Sequence, residues 1–87
     1  MSESQAEQLV EELRKASVAN VLANTCSLLG SLGYGKLSEQ ARDLDQARLA
    51  IEALKALAPL LEEEERRDVQ QLVANLQLAY ADARVVR

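Results

Sequence analysis

Histidine, phenylalanine and tryptophan are absent from the 87 residues, and cysteine and proline occur once each, as Cys26 and Pro59. Without histidine, no imidazole can activate the lone thiol or join it in a zinc site. One cysteine cannot close an internal disulfide, and a single thiol beside an N-terminus with no signal-like pattern fits a cytoplasmic protein. A basic excess is also missing. Ten Lys and Arg stand against 14 Asp and Glu, a net charge of −4 and a pI near 4.8, so the electrostatic footprint of a nucleic-acid binder is not there. With no disulfide or metal to staple it, one domain of 9.6 kDa buries only roughly 60–65% of its unfolded surface. Such domains often gain the missing burial by association.

What remains is a helix-forming composition rich in Leu, Ala, Glu, Gln and Arg, interrupted by three glycines. From Gln5 onward, Ala6, Leu9, Val10, Leu13 and Ala16 recur at three- and four-residue spacing. With no Gly or Pro before Gly30, this predicts one helix over about 4–32, preceded by a frayed Met1–Ser4. Its first half is charged, with Glu11 and Lys15 in the favourable i,i+4 order. Its second half opens a stretch, Ala16 to Gly35, that carries no charge at all. Twenty residues is the length of a membrane span, but this stretch contains Ser17, Asn20, Asn24, Thr25, Ser27 and Ser31 and is too polar for one.

On a helical wheel the stretch has two faces. Val18, Val21, Leu22, Thr25, Leu28, Leu29 and Leu32 form a broad face expected to meet the core. Opposite runs a ridge of small residues, Ala19, Ala23, Ser27 and Ser31, flanked by Asn20 and Asn24. These six are the candidate interface, where a second helix could approach closely and hydrogen-bond to Asn and Ser. Gly33 and Gly35 are expected to stop the helix, Gly33 as its C-terminal cap, and to open a loop over 33–42.

Asp43 then begins D-L-D-Q, which resembles a capping box for a helix over about 44–58. Leu44, Ala47, Ile51, Leu54, Ala58 and Leu61 make its apolar seam. Pro59 falls in a turn over 59–61 or at the first position of the next helix, which runs over about 62–86. That helix starts on Glu62–Glu65 and ends near Arg84 and Arg87, matching the helix dipole at both ends. Its seam is Val69, Leu72, Leu76, Ala79, Ala83 and Val86, flanked by Val73 and Tyr80. Two matched seams across a short turn predict an antiparallel hairpin.

Candidate chemistry is sparse. Gly30 to Lys36 satisfies the G-x-x-x-x-G-K spacing of a phosphate loop, but Leu37 stands where Ser or Thr must hold magnesium, and a helix rather than a strand precedes it. Cys26 lies at the edge of the apolar face and reads as a small hydrophobe. Four consecutive glutamates on a helix point in four directions, not at one cation. No acid, base and nucleophile converge, so neither an enzyme nor a cofactor or metal is expected.

Leu29-Gly30 or Leu32-Gly33, then Leu44, Ala47, Ile51, Glu52, Leu54 and Leu57, then Glu65, Leu72, Leu76 and Tyr80, form a further pattern. From about residue 19 onward the chain is similar to a bacterial family of small helical proteins classed as a domain of unknown function. The resemblance implies a bacterial, soluble, helical protein, and it carries over no catalytic residue or ligand.

The reading is therefore all-α in three helices, a long N-terminal helix packed on an antiparallel hairpin and completed by oligomerisation. The expected role is that of a non-enzymatic interaction protein, a homo-oligomer (a dimer first) or a subunit of a larger assembly, with neither a membrane span nor a nucleic-acid partner. The alternative is a binder of a small apolar ligand, lipid or acyl chain, in a cavity between the first helix and the hairpin.

Overall fold

The structure, a computed structural model, describes residues 2–85. They form four α-helices and one turn of 3-10 helix: α1 (Glu3–Lys15), α2 (Val18–Leu37), α3 (Leu44–Leu57), the 3-10 turn (Ala58–Leu60) and α4 (Glu63–Arg84). Among the described residues there is no strand.

The single N-terminal helix expected over 4–32 is two helices. Ala16 and Ser17 both take extended backbone angles, φ −70°, ψ 136° and φ −84°, ψ 129°. Ser17 breaks the helix because its hydroxyl accepts the Asn20 N–H at 3.3 Å, which supplies α2 with an N-cap. Arg14 and Lys15 sit in the last turn of α1, where positive charge complements the helix dipole. The other end of α1 is not frayed from Ser4 back. The Ser2 hydroxyl accepts the Gln5 N–H at 3.2 Å, and the Ser2 N–H donates to Gln5 Oε1 at 3.0 Å, closing a capping box. Met1, expected to fray with it, lies outside the described residues.

At its other end α2 runs through the glycines, so the expected loop over 33–42 begins only after Leu37. No glycine has positive φ. Gly30 and Gly33 serve packing instead. A Cβ on Gly30 would come within 2.6 Å of Leu72 Cδ2, and one on Gly33 within 3.2 Å of Leu76 Cδ2 and 3.5 Å of the Ala50 Cβ. The α2 backbone thus lies directly against α3 and α4. Contacts at 30 with 72 and at 33 with 76 set α2 and α4 running the same way. Arg48, Ile51 and Glu52 lie beside Gln77, Tyr80 and Arg84, so α3 runs against α4.

The turn into α3 is fixed by polar contacts. The Arg42 guanidinium donates to the Leu37 carbonyl, and the Asp43 N–H donates to the Lys36 carbonyl at 2.7 Å. Asp43 caps α3 by accepting the Gln46 N–H at 3.2 Å. The reciprocal half of a capping box is not formed, because the Asp43 N–H is already committed to Lys36. Pro59 takes the turn position, inside the 3-10 segment.

The core is Cys26 and Leu37 from α2, Ala47, Ile51 and Leu54 from α3, Ala58 and Leu61 from the turn, and Val69, Val73 and Leu76 from α4. Leu22, Leu29, Leu44, Leu57, Leu72, Ala79, Tyr80 and Ala83 pack around it. Both hairpin seams are therefore the buried ones, except that Val86, the last residue of the expected helix, lies outside the described residues. The α2 face differs from the wheel. Leu22 and Leu29 reach the core and Thr25 is half-buried, but Val18, Val21, Leu28 and Leu32 are exposed, and the buried line is Cys26, Gly30, Gly33 and Leu37. Glycine adds nothing apolar to a wheel, yet it lets backbones approach most closely, so it turned the helix away from its Leu/Val side.

Candidate interaction surface

α1 contributes nothing to that core. None of its residues is buried, and it touches no other element among the described residues. Its charged side holds Glu11 near Arg14 and Lys15 at 3.7 and 4.0 Å, exposed pairs worth little in water. Its apolar side, Ala6, Leu9, Val10 and Leu13, faces solvent, with Leu13 64% exposed. The protruding helix lengthens the molecule to 55 Å. The radius of gyration is 16.4 Å, where a compact chain of this length has about 12 Å.

A second apolar surface lies on α2. Val18, Val21, Leu28 and Leu32 fall on one side, about 140° round the helix from the buried line at ~100° per residue. Val18 is 76% and Leu28 61% exposed. Next to this strip come the polar residues of the expected interface. Of the six, Ala19, Asn20, Asn24, Ser27 and Ser31 are exposed, and Ala23 is half-buried toward the hairpin. A column of every fourth residue drifts by ~40° per step on a 3.6-residue helix, so Ala23 and Ser31 do not share one flat ridge. The structure brings Asn20, Asn24, Ser27 and Ser31 together as a neutral polar flank beside the Val/Leu strip.

The strip and α1 are what sequence reasoning missed. The signals were present: a Ser-x-x-Gln box at Ser2 opened α1, and two basic residues followed two positions later by Ser17 closed it.

Elsewhere the chemistry stays quiet. Cys26 is 1% exposed, and burial, with a smaller push from the Glu65 carboxylate, raises its thiol above the ordinary value of 9.0. It is a protonated core residue at neutral pH. One buried oxygen of Glu65, Oε2, has no hydrogen-bond partner. Gly30 to Lys36 is helical, and two of its glycines are packed under Leu72 and Leu76, so no free amides cradle a phosphate. Among the described residues no three metal-ligating side chains gather. No helix among the described residues is long and apolar enough to cross a membrane. Between α2 and the hairpin, where an apolar ligand was the alternative expectation, Leu72 lies against Gly30, and Leu76 and Ala50 lie against Gly33. A hollow of about 790 Å³ is an open groove at the far end, lined by Tyr34, Leu37 and Ala79 but also by Glu39, Arg42 and Asp82.

The chain matches no known protein family, no curated protein and no solved structure.

Proposed function

We propose that this chain is a non-enzymatic helical interaction protein that associates with itself, as a dimer or as a subunit of a larger assembly. One observation carries the reading. The chain exposes 6576 Å², whereas a folded monomer of 9.6 kDa exposes about 5,100 Å². The excess of about 1,500 Å² is nearly twice the ~800 Å² that each partner gives up in a standard interface. Of the twelve exposed large hydrophobics among the described residues, seven lie on α1 and α2 between Leu9 and Leu32. Exposed apolar surface on this scale marks a binding face.

The residues proposed for contact are those exposed on α2, including the flank of Asn20, Asn24, Ser27 and Ser31 with Ala19 and Ala23 beside it. A cytoplasmic setting and kinship with the bacterial helical family are part of the same proposal. They are supported by the lone reduced thiol and by the Leu44–Tyr80 pattern, respectively.

The test is the mass in solution. Multi-angle light scattering at tens of micromolar is expected to give twice 9.6 kDa or a higher multiple. A clean monomer across that range defeats self-association.

A further inference from the structure

We infer that α1 of one copy docks along the exposed apolar strip of α2 in a second copy, reciprocally, so that two chains exchange their N-terminal helices. The inference rests on the self-association proposed above and names its surface.

The first ground is that α1 is incomplete alone. An isolated helix of 13 residues is marginal in water even with good caps, and most helical stability comes from burying an amphipathic face. Ala6, Leu9, Val10 and Leu13 form such a face and have nothing against them. The second ground is fit. At ~1.5 Å per residue α1 is about 20 Å long, and the α2 strip from Val18 to Leu32 is about 21 Å. Run antiparallel, Leu13 lies over Val21, Leu9 and Val10 over Thr25, and Ala6 over Leu28.

The third ground is the link. For α1 to cover the α2 of its own chain, the chain must reverse within Ala16 and Ser17. Tight reversals after a helix commonly use a left-handed residue, usually glycine. Here both linker residues are extended, and no residue among those described has positive φ. Ser17 is also held as the cap of α2. The link therefore presents α1 outward, to another molecule. The fourth ground is area: an excess surface of about 1,500 Å² exceeds the ~800 Å² per partner that one such interface needs, and α1 paired with α1 alone would leave the α2 strip uncovered.

Charge is compatible with this partner. α1 carries Glu7, Glu11, Glu12, Arg14 and Lys15 on its outer and flanking positions, whereas α2 has no charged residue from Val18 to Gly35. Asn20, Asn24, Ser27 and Ser31 can donate to the carboxylates or accept from Arg14 and Lys15, and no like charges are forced together.

Three full-length variants test it. Leu13→Glu and Leu28→Glu, one on each side of the contact, are each expected to raise the dimer dissociation constant at least tenfold. Leu78→Glu, on the exposed side of α4, is expected to leave it unchanged. Because α1 touches nothing in the bundle, Leu13→Glu should keep the cooperative melt of α2–α4, which circular dichroism checks. The double variant Leu13→Cys, Val21→Cys is expected to form an interchain disulfide on mild oxidation, while Leu13→Cys alone forms none. Dimers that persist unchanged in Leu13→Glu would overturn the helix exchange while leaving self-association intact. An intrachain bond in the double variant would show α1 folded back on its own chain. Equal cross-linking by Leu13→Cys alone would show α1 paired with α1. A monomer at every concentration would remove the exchange and the self-association together.

Discussion

Alanine at each of the three glycines of α2 asks one question at three depths. Glycine inside a helix costs about 0.5–1 kcal/mol relative to alanine, so each substitution begins with that gain. At Gly35 nothing lies within 4 Å of the new Cβ, and the gain stands. A domain of this size should melt about 2–8 °C higher. At Gly33 the new methyl comes within 3.2 Å of Leu76 Cδ2, closer than the ~3.5–4.0 Å of a relaxed carbon contact. Leu76 is wholly buried and has nowhere to retreat. Overpacking of that kind costs about 1–3 kcal/mol, so Gly33→Ala is expected to lose about 1 kcal/mol net. At Gly30 the clash is closer, 2.6 Å, but it is with the tip of Leu72, which is half-buried and can swing aside. Gly30→Ala should fall between the other two, near zero. The assay is urea unfolding followed by far-UV circular dichroism, at one fixed protein concentration because self-association shifts apparent stability. The reasoning fails if Gly33→Ala stabilises as much as Gly35→Ala, since α2 would then not be seated on α4 through its glycines.

Leu54→Ala removes a fully buried side chain from the middle of α3 and should cost about 2–5 kcal/mol in the same assay. Asp43→Ala deletes the α3 cap and should cost about 1 kcal/mol, with Asp43→Asn retaining most of it. Cys26 keeps its proton in the folded state above pH 9.0 while the unfolded chain loses it, so the unfolded state binds fewer protons there and stability falls as pH rises past 9.0. Cys26→Ala should flatten that decline, and a decline of equal slope in the variant would refute the assignment. At neutral pH an aromatic disulfide reagent should label Cys26 only at the rate at which the bundle opens.

Much of the fold was legible because hairpin burial follows periodicity. Leu44, Ala47, Ile51, Leu54, Ala58 and Leu61 on one side, and Val69, Leu72, Leu76 and Ala79 on the other, are large or aliphatic residues at helical spacing, and such residues bury. Asp43 as a cap and Pro59 as a turn residue follow from local hydrogen bonding and a fixed φ. Leu37, standing where Ser or Thr must hold magnesium, already ruled out the phosphate-loop spacing in the sequence.

The N-terminal third was less legible. Whether Ser17 interrupts a helix depends on the balance between one capping bond and continuation of the backbone ladder, a difference of about 1 kcal/mol that periodicity does not register. The face of α2 that turns inward was decided by close approach. Gly30 and Gly33 look like helix breakers in a sequence, and only the presence of Leu72 and Leu76 opposite them makes them packing residues. The sequence by itself therefore determined an acidic, all-helical chain with a hairpin core and too much apolar surface for its size. Tertiary structure alone decided where the surplus lies, on a free α1 and on the Val/Leu side of α2, because α2 seats on the hairpin through Gly30 and Gly33, where its backbone comes closest, and leaves Val18, Val21, Leu28 and Leu32 outside.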